Sequence, residues 1–107
     1  MNPGLGYLFI RAVVEESTHI VEFDRWYDDH LLQAVTSLHA ARGWRFWSEG
    51  EEHGRVHYAT YEFASPAAVD AALESAEFQA LIGDFTARWG ESVRRIRSRV
   101  SVVRTVG

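Results

Sequence analysis

Cysteine is absent from this 107-residue chain, which excludes disulfides, zinc–thiolate sites and thiol nucleophiles. Lysine is absent too: every basic residue is an arginine, so Schiff-base chemistry and a lysine general base are removed as well. No apolar run approaches membrane-spanning length, and the opening stretch MNPGLGYLFIRAVVEE has neither a basic leader nor a small-residue cleavage site. It therefore reads as neither anchor nor signal peptide. There is no glycine-rich phosphate loop, no G-x-S-x-G elbow and no paired-carboxylate motif. The five histidines do not assemble with carboxylates into a metal-ligand pattern, so no metal site is expected. A net charge of −4 argues against nucleic acid as the partner. A cytoplasmic protein without membrane contact is the expectation.

What is present suits one packed domain over 1–107. Apolar residues make up 47% of the chain and aromatics 13%, enough for a core at this length. The strongest periodic signal runs from Ile20 to Leu38. Ile20, Phe23, Tyr27, Leu31, Ala34 and Leu38 recur in steps of three or four, one stripe along a helix. Glu22, Asp24, Arg25, Asp28 and Asp29 form its solvated face, and Ser17 or Thr18 offers a cap. Tyr7 to Val14 is a strand by its β-branched and aromatic content. Residues 44–49 and 55–63, separated by the glycine-bracketed turn Gly50 to Gly54, make a β-hairpin. Trp44 and Phe46 fall on one face of its first strand, Arg45 and Trp47 on the other.

Ser65–Pro66 starts a second helix with a capping hydroxyl and a proline at the first helical position. Ser75 caps a further helical piece to about Arg88, with Phe78, Leu81, Ile82 and Phe85 at core spacing. Ser92 to Val106 reads as a long final strand with arginines on its exposed positions. Arg95, Arg97 and Arg99 share one face there, to be matched by acidic helix surfaces or a partner's carboxylates. The order is thus β-α-β-β-α-β, an α+β chain with two helices on one face of a four-stranded antiparallel sheet. Strands apolar on both faces need a second cover, and another copy of the chain is the simplest one, so a homodimer is expected.

Three segments carry a family resemblance. Phe23-Asp-Arg-Trp-Tyr-Asp-Asp-His30-Leu resembles the aromatic-then-histidine helix signature of small bacterial dimeric α/β-barrel proteins, which are ferredoxin-like and lie close to the EthD-type and NIPSNAP-like groups. Leu73-Glu-Ser-Ala-Glu-Phe-Gln-Ala-Leu81 is similar to their second helix, and Arg94-Arg-Ile-Arg-Ser-Arg99 to their arginine-bearing last strand. Where such families have a proline soon after the histidine, this chain has Leu31, Leu32 and Gln33, which implies an unbroken helix. The resemblance implies a cavity between helices and sheet, beneath the helix that bears His30. Relatives on this fold include quinone-forming monooxygenases, cyclases, isomerases and haem-degrading enzymes, so a shared fold leaves the reaction open.

His30 is the leading candidate for chemistry: an imidazole that titrates near neutrality serves as general acid or base. The alternative is a helix histidine that only fills space. Arg45 and Tyr61 are candidates for holding a substrate oxygen, with Arg45 otherwise paired to Glu62 or another acid across the sheet. Phe23, Trp26, Tyr27 and Trp47 are candidate pocket-lining aromatics, or else ordinary core. His57 shares a strand face with Tyr61, either at a site or exposed in the hairpin. The resulting expectation is an enzyme without a bound cofactor, a monooxygenase, cyclase or isomerase acting on a hydrophobic aromatic or polyketide-like molecule. A non-catalytic binding or scaffold dimer is the second reading, and haem binding through His30 a third.

Overall fold

A computed structural model describes all 107 residues. Strand β1 spans Gly6–Val14, helix α1 Ile20–Ser37, strands β2 and β3 Arg42–Ser48 and Val56–Phe63, helices α2 and α3 Pro66–Leu73 and Ala76–Trp89, and strand β4 Val93–Val100. The strands form one antiparallel sheet in the order β2-β3-β1-β4. All three helices lie on one face of it. This is the ferredoxin-like arrangement, with the second helical crossover broken into two pieces at Ser75.

Side-chain alternation decides what each strand presents to the helices. In β1, Leu8, Ile10, Ala12 and Val14 face inward, and the register puts Ile10 beside Ala59 of β3 and Arg97 of β4. From α1, Phe23, Tyr27, His30 and Ala34 are buried against this face. Val69, Phe78, Leu81, Phe85 and Trp89 complete one continuous core from α2 and α3. The other face of the sheet has no helix. Phe46 stacks on Tyr58 there with ring centroids 5.0 Å apart, and Phe46 and Ile96 are 44% and 61% exposed.

Both expected serine caps on the second crossover form: the Ser65 and Ser75 hydroxyls accept from the Ala68 and Phe78 amides, each at 3.1 Å. The entry to α1 differs. Ser17 to His19 make a short 3-10 turn, closed by the His19 amide donating to the Glu16 carbonyl, and no side chain caps α1. The turn itself holds the residues that a capping geometry would need. The last strand is also shorter than its pattern, ending at Val100. It pairs only with β1, and its last paired residue, Val100, already sits opposite Tyr7 near the start of β1. A second correction concerns its arginines: the inward phase begins at buried Val93 and continues through Arg95, Arg97 and Arg99, while Ile96 points to the helix-free side. α3 stops at Gly90, whose φ of 45° favours glycine.

Gly6 lies where β1 passes under the start of α2. A methyl group there would strike the Ser65 carbonyl and the Val69 side chain. Gly83, inside α3, faces open space. Gly6→Ala should therefore destabilise the fold by about 1–3 kcal/mol through overpacking, whereas Gly83→Ala should stabilise it by up to about 1 kcal/mol. Urea denaturation of both variants checks the opposite signs.

Candidate functional site

The long helix and the sheet do not close completely. Between α1, α3 and strands β1, β3 and β4 lies a cavity of about 330 Å³. Its walls are mostly apolar: Ile10 from the sheet floor, Ala34 from α1 and Leu38 just past its end, and Phe78, Leu81 and Ile82 from α3. The polar groups are few. Tyr27 and His30 come from α1, Tyr61 from β3, and Arg95 and Arg97 from β4. An apolar chamber with a handful of convergent polar groups is the usual form of a small-molecule site.

His30 is 7% exposed. Stacking holds the ring: Trp26 lies nearly parallel to it at 4.4 Å and 22°, and Tyr27 meets it edge-on at 5.1 Å. Burial pushes its pKa down to about 4, with nearby Asp84 opposing and Arg95 adding to the effect. The imidazole is therefore neutral at physiological pH, with a lone pair on one nitrogen, the form a general base requires. The same ring borders a polar groove outside, lined in part by Asp29, Gln33 and Asp84. His30 thus stands as a wall between the cavity and solvent, with one side toward each.

The two phenols stay protonated. Burial raises the Tyr27 pKa, an effect that its interaction with the Tyr61 hydroxyl partly offsets. Tyr61 is pushed higher still, first by burial and then by Tyr27. Neutral phenols are hydrogen-bond donors suited to a carbonyl or developing enolate oxygen.

The seven candidates from sequence divide into two groups. His30, Tyr27 and Tyr61 meet at the cavity, and Trp26 backs the His30 ring. Phe23, Trp47 and Arg45 lie outside it, under the first half of α1. Arg45 donates to the Asp24 and Asp28 carboxylates at 2.8 and 2.7 Å, and the Trp47 indole N–H donates to the same Asp24 oxygen at 2.8 Å. Arg45 is thus tied to helix acids, not to Glu62, which instead accepts from Tyr7 and pairs with Arg42. Asp24, expected on a solvated face, is the acceptor that joins α1 to β2. Its pKa is lowered by the Trp47 and Arg45 hydrogen bonds. Phe23 packs edge-on against both Trp47 and His57 as core. His57 is fully buried, not exposed in the hairpin, with its pKa lowered to about 3 by burial and by Arg45.

Sequence reasoning does not single out Arg95 and Arg97 as site residues, although their shared strand face is legible. The signal for their direction is Val93: an apolar residue in phase with three arginines marks that phase as the inward one.

No family model matches the chain, and neither does any curated protein. Solved structures do. A mutant form of SnoaB, a cofactor-independent oxygenase from Streptomyces nogalater, aligns over 96% of this chain and 97% of its own, with 12% identity and a TM-score of 0.69. A candidate antibiotic biosynthesis monooxygenase from Nitrosomonas europaea covers 100% and 99%, with 14% identity and a TM-score of 0.64. A dimeric ferredoxin-like protein from an uncultured marine organism covers 96% and 99%, with 15% identity and a TM-score of 0.61. The chain thus has the ferredoxin-like fold found in monooxygenase-type α/β proteins of this size. Identities this low speak for the fold alone, and the narrower EthD-type and NIPSNAP-like likeness remains one of motifs. No helix is long and apolar enough to cross a membrane.

The buried histidines set a pH dependence of stability. Both are neutral when folded, with pKa values near 4 and 3, and both revert to about 6.5 on unfolding. The unfolded chain therefore takes up protons first. Their contribution is complete above about pH 6.5 and is lost as pH falls toward the folded values. Denaturation at pH 7.5 and pH 5 should differ by roughly 2 kcal/mol for each histidine, and His30→Asn should remove one share of that difference.

Proposed function

We propose that the protein is a cytoplasmic homodimeric enzyme that uses no bound cofactor and acts on a hydrophobic aromatic or polyketide-like molecule. His30 takes a proton from a carbon next to a carbonyl group. The electron pair left behind moves onto the carbonyl oxygen, which Tyr61 and Tyr27 hold by hydrogen bonds. The resulting enolate then cyclises, isomerises or reacts with dioxygen. Arg45 has no part in this reading, because its guanidinium is already committed to Asp24 and Asp28.

The observation that carries the reading is the neutral, stacked imidazole in the wall of a partly open, mostly apolar cavity, beside two protonated phenols. An imidazole used only to fill space has no need of an open chamber on one side and a polar groove on the other. That a protein of the same fold is a cofactor-independent oxygenase supports the reaction class. The helix-free sheet face, where Phe46 and Ile96 stay exposed beside Trp44 and Tyr58, supports a second copy as its cover, as does the dimeric state of a structural neighbour.

Deuterium exchange into 1-tetralone, at the carbon beside its carbonyl, tests the proton-transfer step. His30→Ala should lower the catalysed exchange at least about 100-fold, and an unchanged rate in the folded variant would remove the proposal. The wild-type rate should hold as pH drops through 6 and fall only as His30 is protonated near pH 4. The dimer has its own test: Ile96→Glu should sediment as a monomer where the wild type sediments as a dimer, and a monomeric wild type at micromolar concentration would refute it.

A further inference from the structure

Most arginines of this chain have a carboxylate. Arg11 faces Glu51 and Glu52, Arg42 pairs with Glu62, and Arg45 pairs with Asp24 and Asp28. Arg88 pairs with Glu22, Arg94 with Glu15, and Arg99 with Asp70. Arg25, Arg55, Arg95, Arg97 and Arg104 have no such partner, and of these five Arg95 and Arg97 are the two at the cavity. Both line the cavity, and each rests on a ring of α3: Arg95 lies 3.7 Å from the Phe85 centroid and Arg97 5.2 Å from that of Phe78. Neither has an acidic partner. A guanidinium laid on an aromatic face keeps its edge N–H groups free to donate. Two such cations, two residues apart on one strand face, with Arg95 half-buried and Arg97 exposed, repel each other, and burial and Arg97 both lower the Arg95 pKa. An apolar chamber with unanswered positive charge on one side is complementary to a molecule with an apolar body and an anionic end.

We infer that the cavity selects amphipathic organic anions, with Arg95 and Arg97 receiving a carboxylate or comparable anionic group while the walls of α1 and α3 take the apolar body. The inference rests on the reading of this cavity as the substrate site and narrows the substrate class to acids. It also gives the two cationic side chains different work from Arg45. Arg45 stitches a helix to the sheet; Arg95 and Arg97 are left for the ligand.

Two fluorescent probes of one shape separate the terms: 8-anilino-1-naphthalenesulfonate, an anion, and N-phenyl-1-naphthylamine, its uncharged parent. The wild type should bind the anion at least about tenfold more tightly than the neutral probe. Arg95→Gln and Arg97→Gln should each lower affinity for the anion about tenfold and leave the neutral probe within about twofold. Arg25→Gln, at an exposed arginine on α1 outside the cavity, should change neither. Arg97 is largely exposed, so its variant keeps the test valid should Arg95→Gln fold poorly. Equal affinity for the two probes, an equal loss of both, or an anion preference that survives in the double variant overturns the inference while leaving a cavity that binds apolar molecules. Binding of neither probe overturns both the inference and the proposed function.

Discussion

The packing of one aromatic stripe of α1 on the inner face of the sheet fixes everything else. Phe23 and Tyr27 are almost wholly inaccessible, and both meet His57 on β3 at close range. Trp47 closes the side and ties back to the helix through Asp24. A helix anchored this firmly over its first two turns has no freedom to sink further along. Its next positions inward are His30 and Ala34, and facing them β1 and β4 offer only Ile10 and the long arms of Arg95 and Arg97. The space that remains is the cavity. It is left by small and charged side chains where bulky apolar ones would have filled it, while the dense aromatic half beside it supplies the stability.

The parts of this arrangement that are legible in the sequence are those set by local period. The stripe on α1, with His30 at its edge, follows from residues three and four apart, and the Ser65 and Ser75 caps follow from hydroxyls at helix starts. The illegible parts depend on how elements cross. Nothing in the chain says that Arg45 on β2 lies beneath Asp24 and Asp28 on α1, because that requires the packing angle of the helix on the sheet. The direction of β4 is obscured for another reason. An inward phase of three arginines looks like an outward phase unless Val93 is given more weight than the charges that follow. Arginine defeats hydropathy reasoning here because its stem and flat head pack on rings such as Phe85.

The two buried histidines show what makes a residue a candidate for chemistry. Both touch Tyr27, both are neutral, and burial is the main cause in each case. His57 is sealed: one ring nitrogen has no partner, the other lies 3.4 Å from the Arg45 guanidinium, and the ring does not line the cavity. A proton taken by His57 would have nowhere to come from or go to, and it would sit beside a fixed positive charge. His30 has an apolar chamber on one side and a groove with two carboxylates on the other. The perturbed pKa is common to both and does not distinguish them. Access does, and with it the ability to take a proton from a bound molecule and return it to water.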